Sequence, residues 1–204
     1  MNISSHQLTP FVTNCFVVED QGEALVIDPG EASPGLLDQV EDLDVVLIVN
    51  THAHIDHCGG NQALVEATGA PLACHEADLP LLRSLEQQAA MFGVGAGASP
   101  EPDRLLWDGD TITVGRQAFE VRHTPGHAPG HVVLVGGGVI FAGDVLFRGS
   151  IGRTDLLGGN HEQLLESIRE RLLDLSDETI VYAGHGPGTT IGRERTGNPY
   201  LVGL

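Results

Sequence analysis

A continuous apolar run, Val-Val-Leu-Ile-Val at 45–49, restricts the fold of this 204-residue chain more than any other feature. A strand without alternating polar residues is buried on both faces, so its sheet must be covered on both sides. Other apolar segments predict further strands at 11–18, 24–28, 71–75, 111–114, 117–122, 132–135, 139–142 and 179–183. Helices are predicted at 34–41, 60–68, 76–90, 161–173 and 190–196, and a mobile Gly- and Pro-rich loop at 93–103. This alternation predicts an α/β fold in which helices cover sheets.

The loop after the 45–49 strand carries four potential metal ligands within six residues: His52, His54, Asp56 and His57. If the segment is extended, the first three of these side chains point to one side, because side chains alternate along a strand. A turn would then bring His57 to a neighbouring position. Histidine nitrogen and aspartate oxygen are standard ligands of Zn²⁺ and related ions, so this spacing predicts a metal site.

Three more potential ligands follow other apolar segments. His127 lies in Thr-Pro-Gly-His, Asp144 in Phe-Ala-Gly-Asp, and His185 in Ala-Gly-His-Gly-Pro. Each has a neighbouring glycine, which lets the backbone approach closely. Taken singly, such residues are more often structural, but together they complete a set of seven. Loops that follow strands are also where layered α/β folds place their sites.

The charge of the chain limits its partners. The formal net charge is −18, with 28 acidic residues and 10 basic residues, all of them arginine. The resulting field repels polyanions and disfavours a nucleic-acid partner. No segment approaches the roughly 18 apolar residues of a membrane span. Three cysteines make no disulfide framework and the first residues form no signal peptide, so we expect a cytoplasmic protein.

The seven residues and their order resemble the metallo-β-lactamase superfamily, from Asp28-Pro29-Gly30 through His-Ala-His-Ile-Asp-His at 52–57 to His185. This resemblance implies a four-layer αββα sandwich as one domain over 1–204, with two divalent metal ions. Its implied ligand sets are His52, His54 and His127 for one ion and Asp56, His57 and His185 for the other. Asp144 would bridge the two ions, and Asp28 would orient a ligand from behind. Zinc is the expected metal, and iron or manganese would also suit such donors.

Within the superfamily, the sequence most resembles glyoxalase II, the hydroxyacylglutathione hydrolases, in its shorter single-domain bacterial branch. The segments that carry this resemblance are FAGDVLFRGSIGRTD at 141–155, MFG at 91–93 and ERTGNPYL at 194–201. Asp144 in the bridging position differs from true β-lactamases, many of which have a cysteine there. The extra C-terminal helical domain of two-domain glyoxalase II is not expected here.

The resemblance implies hydrolysis of a glutathione thioester, most simply S-D-lactoylglutathione to glutathione and D-lactate. A water shared by two metal ions would become a hydroxide near neutral pH and attack the thioester carbonyl. Asp56 would orient that hydroxide, and Asp56 and Asp144 are the predicted catalytic residues. Arg153 occupies the place of a glutathione-contacting residue in the family. The acyl group, the native metal and the oligomeric state do not follow from the sequence.

Several other activities occur on this fold. A persulfide dioxygenase would use a single Fe²⁺ at the residues that match His52, His127 and Asp144. A nuclease or phosphodiesterase of the same fold is a second alternative, which the net charge disfavours, and a lactone hydrolase is a third. A non-catalytic binding module is a further alternative, although such descendants usually lose ligands and this chain keeps all seven. Of the five other histidines, at 6, 75, 123, 131 and 161, His131 is the candidate for orienting a ligand.

Overall fold

The structure is a computed structural model that describes residues 1–95 and 97–203. Its first six strands form one sheet in sequential order: β1 Asn2–Leu8, β2 Thr13–Asp20, β3 Glu23–Ile27, β4 Asp44–Val49, β5 Leu72–His75 and β6 Arg104–Leu106. The second sheet has the order β14-β13-β10-β9-β8-β7, from β7 Thr111–Val114, β8 Gln117–His123, β9 Val132–Gly136, β10 Val139–Gly143, β13 Ile180–Ala183 and β14 Thr189–Thr190. A two-stranded ribbon of β11 Leu146–Phe147 and β12 Ser150–Ile151 follows β10.

The helices are short and connect the strands. They are α1 Pro34–Val40, α2 Ile55–Cys58, α3 Asn61–Thr68, α4 Leu79–Leu82, α5 Leu85–Phe92, α6 His161–Arg171 and α7 Ile191–Gly197, with a 3-10 turn at Glu76–Asp78. The predicted N-cap of α6 is confirmed, because the Asn160 side chain accepts a hydrogen bond from the Gln163 amide. Within the described residues no helix is long and apolar enough to cross a membrane.

Three apolar clusters show that the elements stack in four layers. The largest lies between the two sheets and joins side chains such as Phe16 and Ile27 of the first sheet to Phe119 and Phe141 of the second. A second cluster packs α1 and α3 on the outer face of the first sheet. A third packs α6 and α7 on the outer face of the second sheet. The order helix, sheet, sheet, helix confirms the expected αββα sandwich.

The sequence-based assignment differs from the structure in a few elements. The predicted helix at 76–90 is divided into the 3-10 turn, α4 and α5. The first division falls where Pro80, which lacks an N–H, is accepted in the first turn of α4. Strand β1 was not predicted, since its polar sequence Asn-Ile-Ser-Ser-His-Gln-Leu forms an edge strand. Residue 96 of the predicted 93–103 loop lies outside the described residues, and the described part of that loop forms no helix or strand.

Strand direction brings the predicted ligands to one edge. Strands β3 and β4 pair in parallel, and so do β10 and β13. The carboxyl ends of parallel strands lie at the same edge of a sheet, so the loops that follow these four strands come together there. The two sheets are joined at this edge by a hydrogen bond of 2.7 Å from the backbone N–H of Asn14 to the Gly184 carbonyl. The edge therefore collects loops from both sheets around one space.

Candidate metal centre

The first predicted ligand set, His52, His54 and His127, is brought together at this edge. The Nε2 of His127 lies 3.0 Å from Nδ1 of His54 and 3.2 Å from Nε2 of His52. A tetrahedral zinc ion with Zn–N bonds of about 2.05 Å separates its ligand atoms by roughly 3.3 Å, which is close to this spacing. The three nitrogens are thus arranged as the donors of one ion.

The charge state of these imidazoles suits metal binding. Burial and the neighbouring imidazoles lower the pKa of His52 well below its ordinary value and lower the pKa of His54 to about 3. Burial also lowers the pKa of His127. All three rings are therefore neutral near pH 7, and the lone pairs that face one another are free to bind a cation.

The second predicted set, Asp56, His57 and His185, also converges. The Oδ2 of Asp56 lies 3.5 Å from Nε2 of His57 and 3.2 Å from Nε2 of His185. Burial lowers the pKa of His57, but Asp56, Asp144 and Asp28 outweigh it and raise that pKa well above its ordinary value. A cation at this set therefore competes with a proton on His57.

Asp144 lies between the two sets. Its Oδ1 is 3.5 Å from Nε2 of His57, while its Oδ2 is 3.4 Å from Nε2 of His185 and 3.7 Å from Nε2 of His127. Burial raises the pKa of Asp144, but His57 and His185 lower it well below its ordinary value. One ionised carboxylate thus faces donors of both sets, which is the placement that a bridging ligand needs.

Hydrogen bonds on the far side of the rings fix which nitrogen faces the centre. His127 donates from Nδ1 to the Arg153 carbonyl at 2.7 Å, and His185 donates from Nδ1 to the Phe11 carbonyl at 3.2 Å. A ring that donates from Nδ1 keeps the Nε2 lone pair for a metal. These two rings therefore present Nε2 to the centre, whereas His54 presents Nδ1.

Asp28 takes the orienting position that the resemblance implied. Its Oδ2 accepts hydrogen bonds from Nδ1 of His57 at 3.0 Å and from the Thr51 hydroxyl at 2.7 Å. The Thr51 amide donates to Oδ1 at 2.7 Å, and the same hydroxyl lies 3.1 Å from Nδ1 of His52. Asp28 has a φ of 55°, which is uncommon for a residue with a side chain. Asp28 thus holds the His57 ring directly and reaches the His52 ring through the Thr51 hydroxyl.

Two buried atoms support a cation at this place. Among the described residues, Nε2 of His57 and Oδ1 of Asp144 are both buried and without a hydrogen-bond partner. Leaving such groups without a partner is costly in a protein interior. A divalent ion would satisfy both, and the surrounding nitrogen and carboxylate donors are those that zinc, iron and manganese accept. The residues present therefore fit a pair of divalent ions.

The expectation of an extended ligand loop is wrong beyond His54. His54 has an extended backbone and is the N-cap of α2, so Asp56 and His57 lie in one helical turn. The turn places Oδ2 of Asp56 3.2 Å from Nε2 of His185 and brings the His57 ring, which also packs on His52, beside the His185 ring. Helix geometry, rather than strand alternation, therefore divides the loop between the two sets.

Arg153 lies close to the centre through its backbone, and its side chain is exposed. The guanidinium makes a two-point ion pair with Asp155, with both N–O distances at 2.7 Å. Its carbonyl is the acceptor that orients His127. Contact between the Arg153 side chain and a substrate stays a prediction.

Three residues that hold the ligands or their loops in place were harder to identify from the sequence than the ligands themselves. His131 is buried, accepts a hydrogen bond from the Asp144 amide at 3.0 Å and stacks on His52. The Thr13 hydroxyl donates to Asp56 at 2.9 Å. Asp78 is buried and accepts hydrogen bonds from backbone amides of two ligand loops. Only His131 carried a signal, its proximity to His127 in the chain.

Two sheets with His and Asp clusters at one shared edge define a metal-dependent hydrolase with an αββα sandwich. The family model described as the metallo-β-lactamase superfamily matches residues 8–185. Hydroxyacylglutathione hydrolase GloC of Haemophilus influenzae is 40% identical to this chain and covers 98% of both proteins. The chain therefore belongs to the metallo-β-lactamase superfamily, as the resemblance predicted.

Two solved structures have nearly the same fold over their full length. The crystal structure of BLEG-1, a B3 metallo-β-lactamase, is 39% identical with a TM-score of 0.91, covering 99% of this chain and 100% of that one. TTHA1623 in a di-iron-bound form is 41% identical with a TM-score of 0.90, covering 97% of this chain and 100% of that one. The three relatives bear different names, so the substrate is a separate question from the fold.

Proposed function

We propose that this chain hydrolyses thioesters of glutathione, with S-D-lactoylglutathione or a related acyl thioester as substrate. The observation that carries the proposal is the placement of Asp144 between two complete donor sets, at 3.4 to 3.7 Å from three of their imidazole nitrogens. Such a centre suits hydrolysis by water, without a nucleophile from the protein. The near full-length similarity to GloC of Haemophilus influenzae supports a glutathione thioester as the substrate.

A pair of divalent ions, when bound, would supply a nucleophilic water near neutral pH and stabilise negative charge on the carbonyl oxygen. His52, His54 and His127 would hold one ion, and Asp56, His57 and His185 the other, with Asp144 shared. Asp28 keeps the His57 ring in place through Nδ1. Zinc is the proposed metal, with iron or manganese as alternatives that metal analysis decides.

The chain's own residues also explain why the water would be the nucleophile. Cys58 is the thiol beside the ligand loop, and it donates a hydrogen bond to the His52 carbonyl. Burial raises the pKa of the Cys58 thiol well above its ordinary value. A thiol that stays protonated is a poor nucleophile, so Cys58 packs beside the centre rather than reacting there.

The test is a substrate panel on protein of measured metal content. We expect about two metal ions per chain and hydrolysis of S-D-lactoylglutathione that produces free thiol. A lactone, a phosphodiester and a β-lactam should be hydrolysed more slowly than the thioester. Oxygen uptake with glutathione persulfide, together with one iron per chain, would instead indicate a dioxygenase and contradict the proposal.

A further inference from the structure

An apolar groove opens directly beside the candidate metal centre. It has a volume of about 400 Å³, includes His54 of the first donor set and runs between α5 and the loop at 156–158. Its apolar wall includes Leu81, Met91, Phe92, Pro129, Leu156 and Leu157. A molecule whose reacting carbonyl lies at the metal centre can therefore extend one substituent into this groove.

Two polar side chains of the groove wall, those of Gln88 and Ser84, already form hydrogen bonds within the protein. The Gln88 amide donates to the Leu81 carbonyl at 2.9 Å, and its oxygen accepts from the Ile55 amide at 3.0 Å. The Ser84 hydroxyl donates to the same Leu81 carbonyl at 2.8 Å. Among the described residues that line the groove there is no arginine, aspartate or glutamate. The groove thus suits an uncharged, apolar group.

The rims of the groove are large apolar side chains that lie in solvent. Met91 is 79% exposed on α5, and Leu157 is 83% exposed on the loop opposite. Phe92 packs edge-to-face on Phe11, whose carbonyl holds His185 of the second donor set. Apolar patches of this kind beside a polar centre mark binding surfaces, because covering them with an apolar group is favourable.

We infer that the groove binds the acyl chain of the thioester, and that the preferred chain is apolar and longer than lactoyl. This inference rests on the hydrolase function proposed above. The glutathione half of the substrate carries two carboxylates and an ammonium group, for which this groove has no charged partner. The acyl half is therefore the half that matches the groove. The short, hydroxylated lactoyl group would leave most of the 400 Å³ unfilled.

A binding experiment tests the groove without any hydrolysis. Isothermal titration calorimetry compares S-hexylglutathione with S-methylglutathione, two thioethers that the enzyme cannot cleave, on the metal-loaded protein. Each buried methylene is worth roughly fourfold in affinity, so we expect the hexyl compound to bind at least about tenfold more tightly. Equal affinities for the two thioethers would overturn the inference.

Matched variants locate the effect. Leu157→Ser and Met91→Ser should remove most of the preference for the hexyl compound, because these two side chains form the apolar rims of the groove. Val202→Ser is the control, since Val202 is also 75% exposed but lies outside the groove. A hexyl preference that survives both rim substitutions would place the apolar contact elsewhere and contradict the assignment.

Turnover then separates the two proposals. In the wild-type protein, we expect kcat/KM for S-hexanoylglutathione to exceed that for S-D-lactoylglutathione at least tenfold, and Leu157→Ser to abolish this advantage. A hexyl preference in binding with no cleavage of either thioester would support the groove and overturn the proposed function. Cleavage of the lactoyl compound without any hexyl preference would support the function and overturn the groove.

Discussion

Metal binding at the candidate centre depends on single atoms of each ligand residue, and Asp144 offers the most direct test of this. In Asp144→Asn, one of the two carboxylate oxygens becomes an NH₂ group, which cannot bind a cation and would face an imidazole nitrogen of one donor set. We expect loss of at least one metal ion per chain and a fall of at least about 100-fold in kcat/KM, since even outer partners of ligands cost 10–100-fold. Metal analysis and thioester turnover measure both effects.

The control for Asp144→Asn is Asp42→Asn, which changes an exposed carboxylate just before β4, whose opposite end leads to the ligand loop. His54→Ala should behave like Asp144→Asn, because it removes one nitrogen of the first donor set. Full metal content together with wild-type turnover in either ligand variant would contradict the assigned centre.

Gly184 shows how little space the centre leaves for the backbone. A Cβ at this position would overlap Oδ1 of Asp144 and lie 2.8 Å from Cε1 of His57. We expect Gly184→Ala to displace these two ligands, lower the metal content and reduce turnover. Gly197→Ala is the matched control, because a Cβ there meets nothing within 4 Å. Equal metal content in the two variants would show that the centre tolerates the added methyl group.

Arg153 separates a side-chain role from a backbone role. Alanine keeps the carbonyl that orients His127 but removes the guanidinium, which is paired with Asp155. If the guanidinium binds a substrate carboxylate, Arg153→Ala raises KM more than it lowers kcat and leaves the metal content unchanged. Asp155→Asn frees the guanidinium from its partner and should lower KM. An unchanged KM in both variants would exclude Arg153 from substrate binding.

The 3-10 turn at Glu76–Asp78 connects two ligand loops through hydrogen bonds of Asp78. Asp78 is buried and accepts hydrogen bonds from the Ala53 amide at 2.9 Å and from the Gly130 amide at 2.5 Å. Asparagine has a single acceptor oxygen, so in Asp78→Asn one of these amides loses its partner and meets an NH₂ group. We expect a loss of about 1–3 kcal/mol of stability and weaker metal binding.

Thermal unfolding and metal titration test this role of Asp78. The matched control is Glu76→Gln, which changes an exposed carboxylate in the same turn. A lower Tm in Asp78→Asn with unchanged metal affinity would show that Asp78 supports the fold but does not position the ligand loops.

How much of the fold and the site the sequence could predict depends on how far apart in the chain the interacting residues lie. Strands β4, β10 and β13 are short apolar runs, and each is followed at once by a ligand motif, so local pattern identifies both strand and site. Asp78 carries no such signal, because its partners lie 25 and 52 positions away in the chain. Thr13 similarly reaches Asp56 across 43 positions. These contacts exist only once the loops meet.

The resemblance supplied what local patterns could not. Alternation along an extended segment would group His52, His54 and Asp56, whereas the helical turn α2 assigns Asp56 to the opposite set. The break between α4 and α5 at Arg83-Ser84 was missed for a related reason. Hydrogen bonds of the Gln88 side chain to Ile55 and Ala53 hold α5 against the ligand loop. The helix propensity of residues 76–90 does not indicate these tertiary contacts.

At the scale of the whole molecule, the largest apolar cluster contains none of the ligands, and only a smaller cluster that includes Ala53, Ile55 and Ala128 packs beside the ligand loops. The largest apolar cluster fills the space between the two sheets, and the outer clusters pack the helices on them. A chain of 204 residues buries enough apolar surface to fold without a structural metal. The donors, by contrast, are loop residues at one edge. Removing metal should therefore affect activity and local stability far more than the fold.

Chelation tests this separation. After treatment with EDTA, we expect turnover to disappear while the far-UV circular dichroism spectrum stays that of the folded protein. Tm should fall by about 10 °C for each site emptied, since a metal present at 1,000 times its Kd contributes about 4 kcal/mol. Returning Zn²⁺, Fe²⁺ or Mn²⁺ separately should restore both Tm and turnover, and the ion that restores turnover best identifies the working metal. Global unfolding on chelation would instead show that the ions hold the two sheets together.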